Sequence, residues 1–326
     1  MSVIETRALA KTYGRIKAVK GIDLKIEKGE IFGLLGPNGA GKTTTIGMFC
    51  TIIHPTSGSA SIAGYDIIKE SSEVRRNVGI VFQDPTLDTV LTGIENLRLH
   101  ARLYGISSGI REKRIHEMLE LVGLRDRAND ITRTYSGGMR RRLEMARGLL
   151  HRPAVLFLDE PTLGLDPQTR VRIWDYIKNM AKEELITVVL TTHYMEEAEQ
   201  VCDRVGIIDH GSIIALGTPN ELIDSMGGSY IVRIRVKEPQ IEVIQSLPYV
   251  SEVNVNQDNL EIAMKEAHLH LPDLLKQVKN VTCVETRAPT LNDVFIKLTG
   301  RDIREEQAED TGGWIESIAR YRQRAN

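Results

Sequence analysis

The chain has 326 residues, 41% hydrophobic and 26% charged, a globular composition that argues against disorder throughout. Its formal net charge of -2 argues against nucleic-acid binding by the molecule as a whole, since attraction to phosphates needs a basic surface. Three widely separated cysteines favour reduced thiols over a disulfide framework or a zinc site. The sequence has no run of about 18 apolar residues, so we expect any membrane role to come through a partner.

The first 35 residues are predicted to form β-strands that end in a glycine loop. The segments VIETRAL and AVKGIDLKIE alternate polar and apolar side chains, and IFGLL is a short, fully apolar run typical of a central strand. A helical pattern follows from about Lys42 to Ile53, with further strand candidates at 59–63 and 78–82. The apolar strand, the glycines and the helix therefore stand in the order of a phosphate loop.

The loop itself has the sequence GPNGAGKTT, which fits the pattern G-x-x-x-x-G-K-[ST]. Its glycines let backbone amides wrap around phosphates, Lys42 brings a positive charge to the terminal phosphates, and Thr43 presents a hydroxyl to Mg²⁺. A glycine-rich turn without a ligand is the alternative, but the flanking strand and helix favour a phosphate site. The predicted loop residues are Gly36, Pro37, Asn38, Gly39, Ala40, Gly41, Lys42, Thr43 and Thr44.

A helical subdomain is predicted in the middle of the chain, inserted into an α/β core. Thr92 and Glu95 form a capping box that opens one helix, and a second helical pattern follows. A third helix begins within YSGGM, where Ser136 is a good N-cap and Gly137 and Gly138 leave the free amides open to an anion. Ser-Gly-Gly alone would favour an ordinary helix start. We expect the arginines of this helix to point mostly away from its packed face, the four being Arg140, Arg141, Arg142 and Arg147.

Two later apolar runs, AVLFLDE and ITVVLTTH, flank a helix capped at Asp166 and Pro167, an alternation typical of a parallel sheet. Asp159 ends the first strand, where a carboxylate can order the Mg²⁺ shell, and Glu160 can orient or deprotonate a water for in-line attack on a γ-phosphate. His193 ends the second strand and can contact the same phosphate. Such an Asp-Glu pair is commonly a helix cap or an ion-pair partner, but beside a phosphate loop catalysis is the better interpretation.

A second unit is predicted after the Gly227–Gly228 pair. Its strands and helices follow the order β-α-β-β-α-β, with helices at 241–247 and 272–278, which suits a ferredoxin-like sandwich, and a last helix is expected at 290–298. The predicted divisions are an α/β domain at 1–226 with a helical subdomain at about 85–152, an α+β accessory domain at 227–300, and a charged tail at 301–326. The tail ends in a predicted amphipathic helix that either touches a membrane or membrane protein or, as we favour, packs on its own domain or stays disordered.

Together these motifs resemble those of the nucleotide-binding subunits of ABC transporters, over about residues 3–225 and in that family's order. The resemblance implies a P-loop NTPase core of the RecA-like type, with an inserted helical subdomain and an antiparallel β subdomain, that hydrolyses ATP with Mg²⁺. The matching segments are GPNGAGKTT as Walker A, Gln83 as the Q-loop, YSGGM as the signature, VLFLDE as Walker B with its catalytic glutamate, Leu165–Asp166 as the D-loop, His193 as the H-loop and Tyr13 as the aromatic residue that stacks on adenine.

A homodimer is also implied by the resemblance, because two ATPase domains of this family meet head to tail. Ser136 and Gly138 of one chain would then touch the γ-phosphate held by the other, and Asp166 would belong to the same composite site. Tyr135 stands where leucine is common in the signature, and we interpret it as a conservative apolar change.

The family's catalytic roles are implied for four residues of this chain. Lys42 would hold the phosphates, Glu160 would position the water, and His193 would steady the γ-phosphate. Gln83 would relay the state of the site to residues 85–100, the expected docking surface for a coupling helix of a membrane subunit. The implied Mg²⁺ site consists of Thr43, Gln83 and Asp159, the last through a water.

A closer resemblance is to the daunorubicin-resistance (DrrA-like) branch of this family. It rests on TLDTVLTGIENLRLHARLYG, on the segment from TYSGGM to LGLDP, and on the late PTLNDVFIKLTG. That branch implies a homodimer with a separate membrane permease, located at the cytoplasmic face of the cell membrane, and export of hydrophobic compounds. Related branches move lipids, polysaccharides or sodium ions.

The alternative function is a soluble ABC ATPase that acts on ribosomes or DNA. Ribosome-acting members usually carry two ATPase domains in one chain, and DNA-repair members insert a long coiled coil between the Q-loop and the signature. Here only the 52 residues from 84 to 135 separate Gln83 from Ser136, and no heptad repeat runs through them. A pure binding module is disfavoured because Glu160 and His193 are both present.

Overall fold

The computed structural model describes residues 1–184, 186–226, 229–236, 241–256, 259–278 and 281–300. The predicted tail at 301–326 and the Gly227–Gly228 pair lie outside the described residues. The strands are β1 (Ser2–Tyr13), β2 (Ile16–Glu27), β3 (Ile31–Leu35), β4 (Ser57–Ile62), β5 (Tyr65–Asp66), β6 (Val78–Val81), β7 (Val155–Asp159), β8 (Thr187–Thr192), β9 (Arg204–Asp209), β10 (Ser212–Gly217), β11 (Ser229–Val236), β12 (Val250–Asn256), β13 (Asn259–Lys265) and β14 (Val281–Arg287). The helices are α1 (Lys42–Phe49), α2 (Ser71–Asn77), α3 (Gly93–Leu103), α4 (Ser108–Leu121), α5 (Gly137–Leu149), α6 (Pro167–Glu184), α7 (Met195–Val201), α8 (Pro219–Asp224), α9 (Ile241–Gln245), α10 (Ala267–Gln277) and α11 (Leu291–Thr299).

The largest sheet has six strands in the order β10-β9-β3-β8-β7-β6. β9, β3, β8, β7 and β6 run parallel, and β10 pairs antiparallel at one edge. Every residue of β3, β7 and β8 is buried, which explains their mostly apolar sequences. Leu35 pairs with Thr192 and Asp159 pairs with Thr191, so that the carboxyl ends of these three strands meet at one edge of the sheet.

The predicted antiparallel β subdomain is a four-stranded sheet in the order β2-β1-β4-β5. Its apolar side chains form one cluster with α1 and one face of the six-stranded sheet, with Ile4, Phe49 and Phe157 among its members. α1 ends at Phe49 and not at the predicted Ile53, because the chain turns at Thr51, whose φ of 59° is left-handed.

Helices cover the opposite face of the six-stranded sheet. Along β7, Phe157 belongs to the cluster just described and Leu156 to the cluster that includes α3 to α7, as the alternation of a strand requires. The predicted capping box at the start of α3 is confirmed, since Thr92 accepts the amide of Glu95 and Glu95 accepts the amide of Thr92.

The C-terminal strands form an antiparallel sheet in the order β12-β13-β11-β14, and α9 and α10 pack against it. With the chain order βαββαβ this is the predicted ferredoxin-like arrangement. α9 ends at Gln245, before the predicted position 247. α10 begins at Ala267 and not at Pro272, because Ala267 is buried in this unit's apolar cluster and the amide of His270 already bonds to the carbonyl of Glu266 before the proline.

The last described helix, α11, packs against α7 and α8. Leu291, Val294 and Phe295 are buried in the cluster that covers the six-stranded sheet, not in the cluster of the C-terminal sheet. The carboxylate of Glu199 on α7 accepts the first amide of α11 at 2.5 Å. No described helix combines the length and the hydropathy that a membrane span requires.

Candidate functional site

The predicted phosphate loop, residues 36–44, connects β3 to α1. Gly41 has a φ of 109°, and a Cβ at this position would lie 2.6 Å from the carbonyl oxygen of Ala18. Only glycine fits this conformation and this close approach, which let the backbone close around a ligand. The free amides at the start of α1 then form a site for an anion.

Lys42 folds back across the loop with a side chain that is 5% exposed. Its Nζ donates to the carbonyl oxygens of Gly36 at 2.8 Å and Pro37 at 3.0 Å. Burial lowers the pKa of Lys42, and the neighbouring carboxylates of Glu160 and Asp159 oppose that shift. This buried ammonium group, bonded to two backbone carbonyls and 3.7 Å from the Glu160 carboxylate, is well placed to meet a phosphate that enters the loop.

The three side chains predicted to hold Mg²⁺ lie around one cavity of about 180 Å³. Thr43 Oγ1 donates to Asp159 Oδ1 at 3.4 Å, and Gln83 lines the same cavity. Burial raises the pKa of Asp159, and a hydrogen bond from Thr191 Oγ1 at 2.5 Å counteracts this. Hydroxyl, carboxylate and amide oxygens are the hard ligands that Mg²⁺ prefers, so the residues present fit such a site.

Glu160 lies next to Asp159 at the sheet edge, with a left-handed φ of 44°. Its Oε1 is 3.7 Å from Lys42 Nζ and 3.2 Å from His193 Nδ1, and its amide donates to Thr191 Oγ1 at 3.0 Å. Burial acts to raise the pKa of Glu160, but His193 and Lys42 outweigh it and hold the pKa below its ordinary value. An ionised carboxylate fixed in this way can accept a hydrogen bond from a water and orient it.

Thr191 is a member of this site that sequence analysis missed. It lies in β8, and its hydroxyl joins the side chain of Asp159 to the amide of Glu160. The signal was the pair of threonines at the end of an otherwise apolar buried strand, because a buried hydroxyl needs hydrogen-bond partners.

The signature and the D-loop lie together at the starts of α5 and α6. Ser136 caps α5 as predicted, accepting the amide of Met139 at 3.2 Å, and Gly137 faces Leu165. Asp166 caps α6 by accepting the amide of Thr169 at 3.0 Å. Within the described part of the chain, neither cap shares a hydrogen bond or an ion pair with the phosphate loop. One chain therefore brings together the Walker A, Walker B and H-loop residues but keeps the signature apart.

Tyr13 ends β1 and is half-buried. The ammonium group of Lys11 lies 4.9 Å from the centre of its ring, a cation–π contact. Its predicted stacking on adenine stays a prediction.

Comparisons with known proteins cover most of the chain. The family model "ABC transporter" matches residues 19–163, and the model "ATP-binding protein DrrA1-3-like, C-terminal domain" matches residues 217–299. The linearmycin resistance ATP-binding protein LnrL of Bacillus subtilis (strain 168) is 41% identical over 312 residues, which are 93% of this chain and 100% of that protein. The chain belongs to the ATP-binding subunits of ABC transporters. The daunorubicin/doxorubicin resistance ATP-binding protein DrrA of Streptomyces peucetius is 38% identical over 316 residues, which are 94% of this ABC subunit and 95% of DrrA.

Solved ABC cassettes share the fold of this subunit. The structure of cbiO1 from Clostridium perfringens, part of the ABC transporter complex cbiONQ, superposes with a TM-score of 0.65 at 30% identity and covers 75% of this chain and 93% of that one. The dimeric post-hydrolysis structure of the ATP-binding cassette MJ0796, bound to ADP and Pi, has a TM-score of 0.59 at 30% identity. The match covers 66% of this chain and 98% of the MJ0796 chain. The predictions of an ABC ATPase fold, of nucleotide binding and of ATP hydrolysis coupled to transport are confirmed.

The arginines of the ABC signature helix correct one expectation. Arg141 and Arg147 do not point away from the packed face, because the two residues are only 7% and 9% exposed. Arg141 donates to the carbonyl oxygens of Asp159 and Pro161, both at 2.9 Å, and Arg147 donates to that of Thr86 at 3.0 Å. These carbonyls belong to the last residue of β7 and to the segments that follow β6 and β7, and they offset the cost of burying the guanidinium groups.

Tyr135, at the first position of the ABC signature, is more than the apolar substitute expected from its sequence. The ring is buried, and its hydroxyl donates to the carbonyl oxygen of Arg127 at 2.5 Å. Burial raises the pKa of Tyr135, which keeps the hydroxyl protonated as a donor. A leucine could fill part of the space but could not make this bond.

Proposed function

We propose that two copies of the chain close head to tail around two ATP molecules as a homodimer. The observation that carries this proposal is the separation, within one chain, of Ser136 and Asp166 from the phosphate loop. Ser136 and Gly137 are exposed at the N-terminus of α5, where free amides suit a γ-phosphate held by another chain. The dimeric form of the related cassette MJ0796 supports the same arrangement.

In each composite site, Tyr13 would stack on adenine and Lys42 would hold the phosphates. Glu160, ionised at neutral pH, would accept a hydrogen bond from the attacking water and align it with the γ-phosphate. His193 would donate to the same phosphate once nucleotide separates it from Glu160. Mg²⁺, when bound, would neutralise charge on the transferred phosphoryl group, and its proposed ligands are Thr43, Gln83 and Asp159, the last through a water.

The proposed task of this ATPase is to drive export of hydrophobic, drug-like or lipid-like compounds through a separate membrane permease. One relative is named a linearmycin resistance protein and a second a daunorubicin/doxorubicin resistance protein. A third is named a Nod factor export protein. The expected docking surface at 85–100 exposes the apolar side chains of Val90 and Leu99, which suits a helix of the permease. This partner would hold the ATPase at the cytoplasmic face of the cell membrane.

The proposed domain boundaries are an ATPase domain at 1–226, with a helical subdomain at about 85–152, an accessory domain at 227–300 and a tail at 301–326.

The test is a Glu160→Gln variant incubated with ATP and Mg²⁺ and purified from gently solubilised membranes. We expect it to bind ATP and to dimerise, while steady-state turnover falls at least about 100-fold because the carboxylate no longer activates water. A polytopic membrane protein should co-purify in about equal amount, identified by mass spectrometry.

A Glu196→Gln variant is the matched control, since Glu196 is an exposed carboxylate on α7 close to the site in sequence. It should hydrolyse ATP at the rate of the unmodified protein. Full hydrolysis by Glu160→Gln would remove Glu160 from its proposed role. Recovery of ribosomes or DNA without any polytopic protein would contradict the transport proposal and support a soluble ABC ATPase.

A further inference from the structure

The guanidinium group of Arg141 connects the signature helix α5 to the end of β7. Nε donates to the carbonyl oxygen of Pro161 at 2.9 Å, and Nη2 donates to those of Asp159 at 2.9 Å and Glu160 at 3.2 Å. Three successive carbonyl oxygens therefore converge on one buried side chain. Five N–H donors in a rigid plane can serve such a set, whereas the single ammonium group of a lysine cannot.

These bonds hold a strained backbone in place. Glu160 has a left-handed φ of 44°, a conformation that L-residues adopt only where their surroundings determine it. The contacts that determine it are the carbonyl bonds to Arg141 on one side and the bond from the Glu160 amide to Thr191 on the other. Because the backbone angle sets where the carboxylate lies, the position of Glu160 relative to His193 depends on Arg141.

The same face of α5 also holds the Q-loop at both ends. Arg141 Nη1 donates to the carbonyl of Phe82, the residue before Gln83. Nη1 also contacts Glu144, whose other oxygen accepts the amide of Thr86 at 2.7 Å, and Arg147 donates to the Thr86 carbonyl. The segment that contains Gln83 is thus fixed by Arg141, Glu144 and Arg147, which follow one another at three-residue spacing along α5.

We infer that Arg141 is a positioning residue for ATP hydrolysis, which holds Glu160 and Gln83 of its own chain in their working geometry. The signature helix would then act twice, with its N-terminus on the nucleotide of the partner chain and with Arg141 on the hydrolytic carboxylate of its own. A movement of α5 would move Glu160 and the Q-loop together. The inference rests on the proposed role of Glu160.

The experiment compares Arg141→Met and Arg141→Lys with Arg111→Met in the full-length protein. Arg111 is the matched control, because its half-buried guanidinium also donates to a backbone carbonyl, that of Ile106, but touches none of the nucleotide motifs. We expect kcat of Arg141→Met to fall about 100-fold from misplacement of Glu160, with KM for ATP within about 2-fold. Arg141→Lys keeps the charge and some of the hydrogen bonds, and we expect its kcat to be about 10-fold higher than that of Arg141→Met. Arg111→Met should keep both constants.

Rates are compared per folded molecule, with the folded fraction taken from thermal unfolding. An unchanged kcat in Arg141→Met would overturn the inference. Any loss in kcat/KM would then come from a higher KM, which would place the effect in nucleotide binding.

A double-mutant cycle with Glu160→Gln shows whether Arg141 acts through Glu160. In single-turnover measurements, adding Arg141→Met to Glu160→Gln should slow hydrolysis by less than about 10-fold, because the carboxylate that it positions is already absent and only its hold on the Q-loop remains to be lost. A further loss of about 100-fold in the double variant would overturn the inference while leaving the role of Glu160 intact. Full activity of Glu160→Gln alone would instead refute the proposed function, and with it this inference.

Discussion

Asp159 and Glu160 are adjacent carboxylates whose pKa values are shifted in opposite directions. Burial dominates at Asp159 and raises its pKa, since its nearest partner is the neutral hydroxyl of Thr191. At Glu160, the groups of His193 and Lys42 outweigh burial and lower the pKa. Neighbouring acids with separated pKa values can serve different roles at one pH. The arrangement suits Glu160 as the ionised partner of a water and Asp159 as a group whose charge a bound cation would stabilise.

His100 gives the folded protein a predictable dependence on pH. Burial is the main cause that lowers its pKa from 6.5 to about 4, and Arg147 and His151 also disfavour the imidazolium. Between these two values the unfolded chain binds a proton that the folded chain does not, so folding is favoured fully above about pH 6.5 and less as the pH falls towards 4. Since His100 is only half-buried, we expect about 1 kcal/mol of unfolding free energy to be lost between pH 7 and pH 5.

Denaturant unfolding of His100→Phe at these two pH values checks this expectation. The variant keeps a ring next to Tyr104, whose centre lies 5.1 Å from that of His100, but it has no proton to gain. We expect it to lose about 1 kcal/mol less than the unmodified protein on acidification. His116→Phe, at an exposed histidine of α4, is the matched control for the change of a histidine to phenylalanine. Equal slopes in His100→Phe and the unmodified protein would contradict the assignment.

At the scale of elements, the start of α3 and the signature loop are fitted to each other through Gly93 and Tyr135. A Cβ at Gly93 would lie 2.4 Å from the Tyr135 hydroxyl oxygen, which itself donates to the carbonyl of Arg127. We expect Gly93→Ala to destabilise the fold by about 1–3 kcal/mol through overpacking. Tyr135→Phe should cost about 1 kcal/mol through the lost hydrogen bond.

The two substitutions should not be additive when combined. Removal of the hydroxyl leaves the methyl group introduced by Gly93→Ala 3.3 Å from ring carbon Cζ and 3.3 Å from the carbonyl oxygen of Ala128, two contacts that small movements can relieve. The double variant should therefore be less destabilised than the sum of the single ones, as measured by equilibrium denaturation. A strictly additive result would show that this contact does not set the fit between α3 and the signature.

Local patterns predict elements better than they predict which elements meet. The apolar runs that became β3, β7 and β8, and the capping box at Thr92, are visible in sequence because burial and capping act on neighbouring residues. The burial of Arg141 and the strained φ of Glu160 are not visible, since both depend on hydrogen-bond partners 18 or more residues away in the chain. The ends of α1 and α10 differ from prediction at Thr51 and Pro272, where tertiary packing overrides local propensity.

At the scale of the whole molecule, the chain returns from the C-terminal sheet to the ATPase core. α11 follows β14 in sequence but packs against α7, the helix that begins two residues after His193. The carboxylate of Glu199 accepts the amide of Leu291, and burial raises the pKa of Glu199. The C-terminal sheet is therefore connected to the H-loop side of the core by a packed helix.

Phe295 tests whether α11 is an integral part of that core. Its side chain is 1% exposed among residues that cover the six-stranded sheet, whereas Leu298 on the same helix is 50% exposed. We expect Phe295→Ala to lower the free energy of unfolding of the ATPase core by about 3–5 kcal/mol, and Leu298→Ala to change it by less than about 1 kcal/mol. Differential scanning calorimetry separates two possibilities, since a core that includes α11 would show its main transition shifted down. If Phe295→Ala shifted only a minor transition and left the main one in place, α11 would belong energetically to the C-terminal sheet, despite where it packs.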